Sequence, residues 1–196
     1  MSLDHILLGL LKEPASGYDL KSVFDHRIRY YWAADQSQIY VTLKRLERQG
    51  FLESTREPSD KGPPRRVYHR TEAGTEVLHE WLRGPPKVGD ERFAYAAQLA
   101  LMGELDDLSR TRDYLLELEN LLAQRLEMLD GIQRDTFGNA DIDPLTLPPA
   151  RFHAWLTLHL GRRMVRTRMH WCRDCAELVR EREKVESEQL SAASGS

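Results

Sequence analysis

The chain has 196 residues, enough for one or two domains with a buried core, and 41% hydrophobic with 30% charged residues is the profile of a folded chain, not a disordered one. Its apolar runs are too short for a membrane span, its start lacks the basic n-region of a signal peptide, and two cysteines are too few for a disulfide scaffold, so a reduced, cytoplasmic protein without a membrane partner is expected. The net charge of -3 is unevenly spread: residues 1–84 carry 13 Lys/Arg against 12 Asp/Glu, residues 85–148 carry 6 against 13, and residues 149–196 carry 9 against 6. Within the first block, residues 36–70 alone hold 8 against 4, an excess that gains meaning where a groove-reading geometry coincides with it.

Leu3, Ile6, Leu7, Leu10 and Leu11 recur at three- and four-residue spacing and predict a first amphipathic helix, punctuated by Pro14 and Gly17. A second helix is expected from Gly17 to Ile28. After the aromatic link Tyr30-Tyr31-Trp32, Asp35 and Gln38 form a capping-box pattern at the start of a third helix that runs to Gly50. Residues 51–57 and 66–71 read as short strands separated by the turn-rich segment 58–65. Thr71 can cap a fourth helix carrying Val77, Leu78, Trp81 and Leu82, which Gly84-Pro85-Pro86 ends.

Three helices, a hairpin and a helix in that order describe a winged helix-turn-helix, whose third helix enters the major groove while the hairpin lies along the backbone or minor groove. The remainder reads as helical, giving a mainly α chain: a winged helix-turn-helix at 1–84, an all-helical dimerisation and effector region at 85–190, and a flexible tail at 191–196. Leu108, Leu115, Leu122 and Leu129 stand at seven-residue spacing with Leu118 between them, which predicts helix–helix association. Together with Trp155 and Trp171 of a last helix, expected from Pro149 to the mid-180s, they are the candidate dimer contacts.

On the third helix Ile39, Leu43 and Leu46 share the side that must be buried. The opposite side collects Ser37, Val41, Lys44 and Arg48, with Arg45 and Gln38 along one edge and Tyr40 along the other. Ser37 and Gln38 lie at the end that reaches bases, Val41 suits a thymine methyl, and Lys44, Arg45 and Arg48 suit phosphates. Gln38 either meets a base or completes the cap. Glu47 can pair with Lys44 or a neighbouring cation. In the hairpin Lys61, Arg65 and Arg66 surround the tip, and Arg70 falls on the strand side of Arg66 and Tyr68.

Cys172 and Cys175 have CxxC spacing but no second pair, and the seven histidines show no HExxH, so the two thiols are read as packing residues, with redox or metal sensing as the alternative. No phosphate-cradling glycine loop or acid–base pair stands out. No catalytic residue, metal or cofactor is expected. Phe93, Tyr95, Phe152, Trp155 and Trp171 could line a site for a small aromatic or drug-like effector, although aromatic positions at helical spacing more often pack.

Three ordered segments resemble the PadR-type transcriptional regulators: Ile6-Leu7-Leu8-Gly9-Leu10-Leu11 with Gly17-Tyr18-Asp19-Leu20; Ser37-Gln38-Ile39-Tyr40 running to Gly50-Phe51-Leu52; and Arg66-Val67-Tyr68 leading to Thr71-Glu72-Ala73-Gly74. The helical remainder is similar to the longer members, including virulence-gene activators. The resemblance implies a homodimeric DNA-binding regulator, usually a repressor, on an inverted-repeat operator, sometimes ligand-controlled. It further implies phosphate-contacting hydroxyls at Tyr18 and Tyr40 and DNA contact by the wing. Family members often carry Pro where Val41 stands, so base preference does not transfer. A ligand- or stress-sensing protein with DNA release as its readout, and a partner-binding protein that does not use DNA, are the alternatives; an enzyme is not expected.

Overall fold

The computed structural model describes residues 2–59, 62–89, 92–138 and 142–194, and the chain divides after Val88 into two compact units. The first unit contains α1 (Ser2–Leu10), β1 (Ala15–Ser16), α2 (Gly17–Val23) closing in a π-turn over Phe24–Ile28, α3 (Gln36–Arg48), β2 (Leu52–Ser59), β3 (Gly62–Arg70) and α4 (Glu72–Arg83). Its core joins Leu7 and Leu8 of α1, Leu20, Phe24 and Ile28 of the second helical segment, Ile39, Leu43 and Leu46 of α3, Leu52 and Tyr68 of the hairpin, and Leu78 of α4. Local chemistry sets the helix starts. Ser16 with Asp19, and Asp35 with Gln38, form reciprocal capping boxes, and Thr71 accepts the Gly74 amide at the start of α4.

The hairpin is longer than its turn residues suggest. β2 and β3 pair out to Ser59 opposite Gly62, with an irregular register between Glu57 and Ser59, where Pro58 has no N–H to give to a ladder. The two-residue β1 adds to the other edge of β3, so the sheet is three-stranded and antiparallel in the order β1-β3-β2. α4 starts hard against the preceding chain: a Cβ on Gly74 would lie 2.2 Å from the Phe51 carbonyl oxygen, which leaves room only for glycine.

The second unit holds α5 (Ala94–Leu101), a 3₁₀ turn (Met102–Leu105), α6 (Leu108–Phe137) and α7 (Pro149–Ser194), with a further 3₁₀ turn at Pro144–Thr146. α7 continues through Ser194, so the stop expected in the mid-180s and the tail expected from residue 191 do not hold up to that point; residues 195 and 196 lie outside the described residues. Ion pairs Arg112–Glu183, Glu119–Arg173 and Asp130–Arg162 run up one helix and down the other, which makes α6 and α7 antiparallel neighbours. Between them lies the leucine stripe. Leu115 and Leu129 are 1% exposed, and Leu118 and Leu122 are buried with them.

This corrects the assignment of these leucines to the dimer. α7 supplies its own seven-residue stripe, Leu158, Val165 and Cys172, all buried, and the two stripes close on each other within one chain. Leu108, at the start of α6, is half-buried. What stays uncovered in this unit is different: α5 buries none of its residues, and α7 exposes Trp171, Leu178 and Val185 at seven-residue spacing.

Candidate nucleic-acid interface

α3 is fastened along both edges. On one, Arg45 donates to the Asp4 carboxylate of α1 at 2.6 Å, with both side chains partly buried. On the other, Glu47 receives Arg66 of β3 through both carboxylate oxygens at 2.7 Å and the Ser54 hydroxyl at 2.6 Å. The Ser54 hydroxyl and then Arg66 hold the Glu47 carboxyl below its ordinary range. Between these edges Ser37, Val41, Lys44 and Arg48 are exposed on one continuous side, Val41 at 65%. At its start, the Asp35 carboxylate accepts the Ser37 hydroxyl at 2.7 Å and the Gln38 amide N–H at 2.8 Å, and these bonds hold it below the usual carboxylate range. The Gln38 side-chain oxygen returns a bond from the Asp35 N–H at 3.1 Å, so Gln38 does complete the cap, with its side chain still exposed.

Tyr18 is 74% exposed in the first turn of α2. Tyr40 is half-buried and lies so close to Gly17 that a Cβ there would come within 2.5 Å of its ring, which explains the glycine before Tyr18. In the wing Arg65 is exposed, 3.3 Å from Glu57 and 4.0 Å from Asp19. Lys61 lies outside the described residues.

Two wing residues change role. Tyr68 is 2% exposed, because it shares the sheet face of Leu52 that packs into the core, so it is not a DNA contact. Arg70 is turned inward, donating to the Leu8 carbonyl at 2.9 Å, and fastens the hairpin to α1 instead of meeting phosphate. A further wing cation, Arg56, was not singled out by the sequence. It is exposed on β2 and pairs across the ladder with Arg66; the alternation Leu52, Ser54, Arg56 on one strand face was the available signal.

The aromatic residues of the second unit do not converge. Phe93 packs on Tyr95 with the Arg168 guanidinium 4.3 Å over its ring, whereas Trp155 stacks on His159 and Phe152 meets His153 edge-on. Trp171 lies roughly 24 Å further along α7 than Trp155 at 1.5 Å per residue. The five therefore do not line one pocket within a chain, because helix length separates them. Cys172 is buried in the α6–α7 core and burial raises its thiol pKa, as it does for Cys175. Among the described residues no His, Cys, Asp and Glu group is placed to hold a metal, and no helix is long and apolar enough to cross a membrane.

A third helix presented in this way beside a β-wing defines a winged helix-turn-helix, here followed by a helical unit. Residues 6–80 match the family model of the transcriptional regulator PadR-like family, and residues 95–180 match that of the virulence activator alpha C-terminal region. The probable transcriptional regulator Rv1176c of Mycobacterium tuberculosis is 29% identical over 201 residues, covering 93% of this chain and 100% of the relative. The negative transcriptional regulator PadR of Bacillus subtilis is 27% identical, over 80% of this chain and 85% of its own. The fold is similar to that of B. subtilis PadR in complex with operator DNA, with TM-score 0.78 and 23% identity over 91% of this chain and 99% of that one. It is also similar to the Vibrio cholerae virulence activator AphA, with TM-score 0.71 and 24% identity over 91% and 98%. With both regions matched in order, the chain carries a PadR-like domain followed by a virulence activator alpha C-terminal domain, and its relatives are transcriptional regulators.

Proposed function

We propose that the protein is a homodimeric, sequence-specific DNA-binding repressor of transcription that acts in the bacterial cytoplasm under the control of a small aromatic effector. The exposed side of α3, held in place at both edges, carries this reading. It combines polar tips, an apolar group and cations at the spacing that major-groove edges and flanking phosphates require. Ser37, Gln38 and Val41 address bases. Lys44 and Arg48 address phosphates, joined by the hydroxyls of Tyr18 and Tyr40 and by Arg56, Lys61 and Arg65 of the wing. Arg45 serves chiefly to hold the helix on α1. No reaction is assigned to the chain.

One module reads one half-site, so specific binding needs two copies spaced by about one helical turn, roughly 34 Å. The uncovered α5 and the Trp171, Leu178 and Val185 side of α7 are the surfaces assigned to that pairing. The B. subtilis PadR structures with operator DNA and with p-coumaric acid support both the DNA partner and the effector class.

The test is an electrophoretic shift assay on the DNA upstream of the protein's own gene, against random duplex of equal length, at rising salt. Retention on the upstream DNA at salt that frees random duplex is expected. Equal affinity for both at every salt concentration would refute sequence-specific repression there. Release by added p-coumarate tests the effector.

A further inference from the structure

We infer that Glu47 withholds Arg66 from DNA and thereby sets how strictly the protein distinguishes its operator from other sequences. The inference rests on the DNA-binding reading above. Arg66 stands where a wing cation would meet phosphate, but its guanidinium is already committed. Nη2 donates to both Glu47 oxygens at 2.7 Å and Nε donates to the Ser54 hydroxyl at 2.7 Å. Ser54 in turn donates to Glu47, closing a three-membered knot between α3 and both long strands.

A single exposed ion pair rarely holds against competition, but here the guanidinium is held at two points, Nη2 on the Glu47 carboxylate and Nε on the Ser54 hydroxyl, and Ser54 is itself bonded to Glu47. Arg56 sits directly across the ladder from Arg66. Like charges so placed repel, and Glu47 offsets the repulsion. A cavity of about 490 Å³ lined by Val41, Lys44, Glu47, Arg48 and Arg66 opens beside the knot, so the carboxylate borders the groove-facing side of α3.

Two effects follow. The knot fixes the angle of the wing on the helix that reads bases. It also removes one cation from the phosphate count and sets an anion beside those that remain. Both weaken sequence-independent binding, which depends on phosphate contacts, more than operator binding, which also draws on base contacts. Glu47 is thus a specificity-determining residue acting through Arg66.

The experiment measures the salt dependence of binding to operator and to random duplex for full-length wild type, Glu47→Gln and the Glu47→Gln/Arg66→Gln double variant. Glutamine keeps the shape and the Ser54 bond while removing the charge. Glu47→Gln should steepen the log–log salt slope on random DNA by about 0.9, the value of one added phosphate contact, and tighten random binding several-fold, so that the operator-to-random ratio falls. The double variant should return to the wild-type slope. An unchanged slope in Glu47→Gln, or a double variant shallower than wild type by about 0.9, would mean that Glu47 does not withhold Arg66, and would overturn the inference. A wild type that binds neither duplex at low salt would instead overturn the regulator reading, and this inference with it.

Discussion

Val41 presents an isopropyl group to solvent on a helix whose other large aliphatic residues, Ile39, Leu43 and Leu46, are at most 1% exposed. Core burial does not account for it, and a β-branched side chain slightly disfavours the helix it stands on. Contact with a thymine methyl would account for it. Val41→Ser is expected to leave folding and random-DNA binding intact and to lower operator affinity. In the wild type, replacing one particular thymine by uracil should cause a similar loss, with little further loss in the mutant. Losses that add at every thymine position would show that Val41 reads no methyl. Gly74 is demanding in a different way, since its missing Cβ makes room for the Phe51 carbonyl. Gly74→Ala should destabilise the first unit by about 1–3 kcal/mol, the range for forced overpacking, visible as a lowered thermal midpoint. An unchanged midpoint would mean that α4 can shift away from Phe51 without cost.

The hairpin's attachment to α3 should depend on pH in a defined sense. The Glu47 carboxyl is held below its ordinary range by Ser54 and Arg66, so folded protein favours its charged form more than unfolded chain does. The stabilisation is therefore complete above the ordinary glutamate range and is lost as pH falls through the lower folded value. Amide protection factors in β2 and β3 should drop over that acid interval in the wild type and show no matching step in Glu47→Gln. Identical profiles in the two proteins would place the knot's contribution elsewhere. These attachments also mark what could be read in advance. The α3 cap and its buried side follow from spacings of three and four residues, and both are plain in the chain. Asp4 with Arg45 and Glu47 with Arg66 join residues far apart in sequence, and no periodicity reports such a pairing. β1 is too short to show alternation. It is nevertheless what makes β3 a central strand, whereas Tyr68 is core because its pairing with Ser54 puts it on the sheet face of Leu52, which the helices cover.

The leucine stripe of α6 shows the same limit for the assembled protein: periodicity tells that a helix buries one side, but not whether the covering helix belongs to the same chain. Here α7 covers it. Leu122→Ala should therefore act as a core truncation, destabilising the helical unit by about 2–5 kcal/mol while the native protein remains dimeric. Leu178 is 63% exposed on the outer side of α7 and should behave oppositely. Leu178→Glu is expected to leave the helical circular dichroism unchanged, halve the mass by light scattering at micromolar concentration, and weaken operator binding because each monomer reads only one half-site. A Leu178→Glu protein that stays dimeric with full operator affinity would move the pairing surface off this side of α7.

Fastening α3 at its edges separates the question of whether the chain folds from the question of what it reads. Val41, Lys44 and Arg48 lie outside the core and outside the cap, and exposed positions of this kind usually tolerate replacement within about 0.5 kcal/mol. Drift at these three sites is therefore nearly free of stability cost. A duplicated gene can change its base preference through Val41, and how tightly it holds any duplex through Lys44 and Arg48, while its scaffold, its wing and its pairing surface remain under unchanged selection.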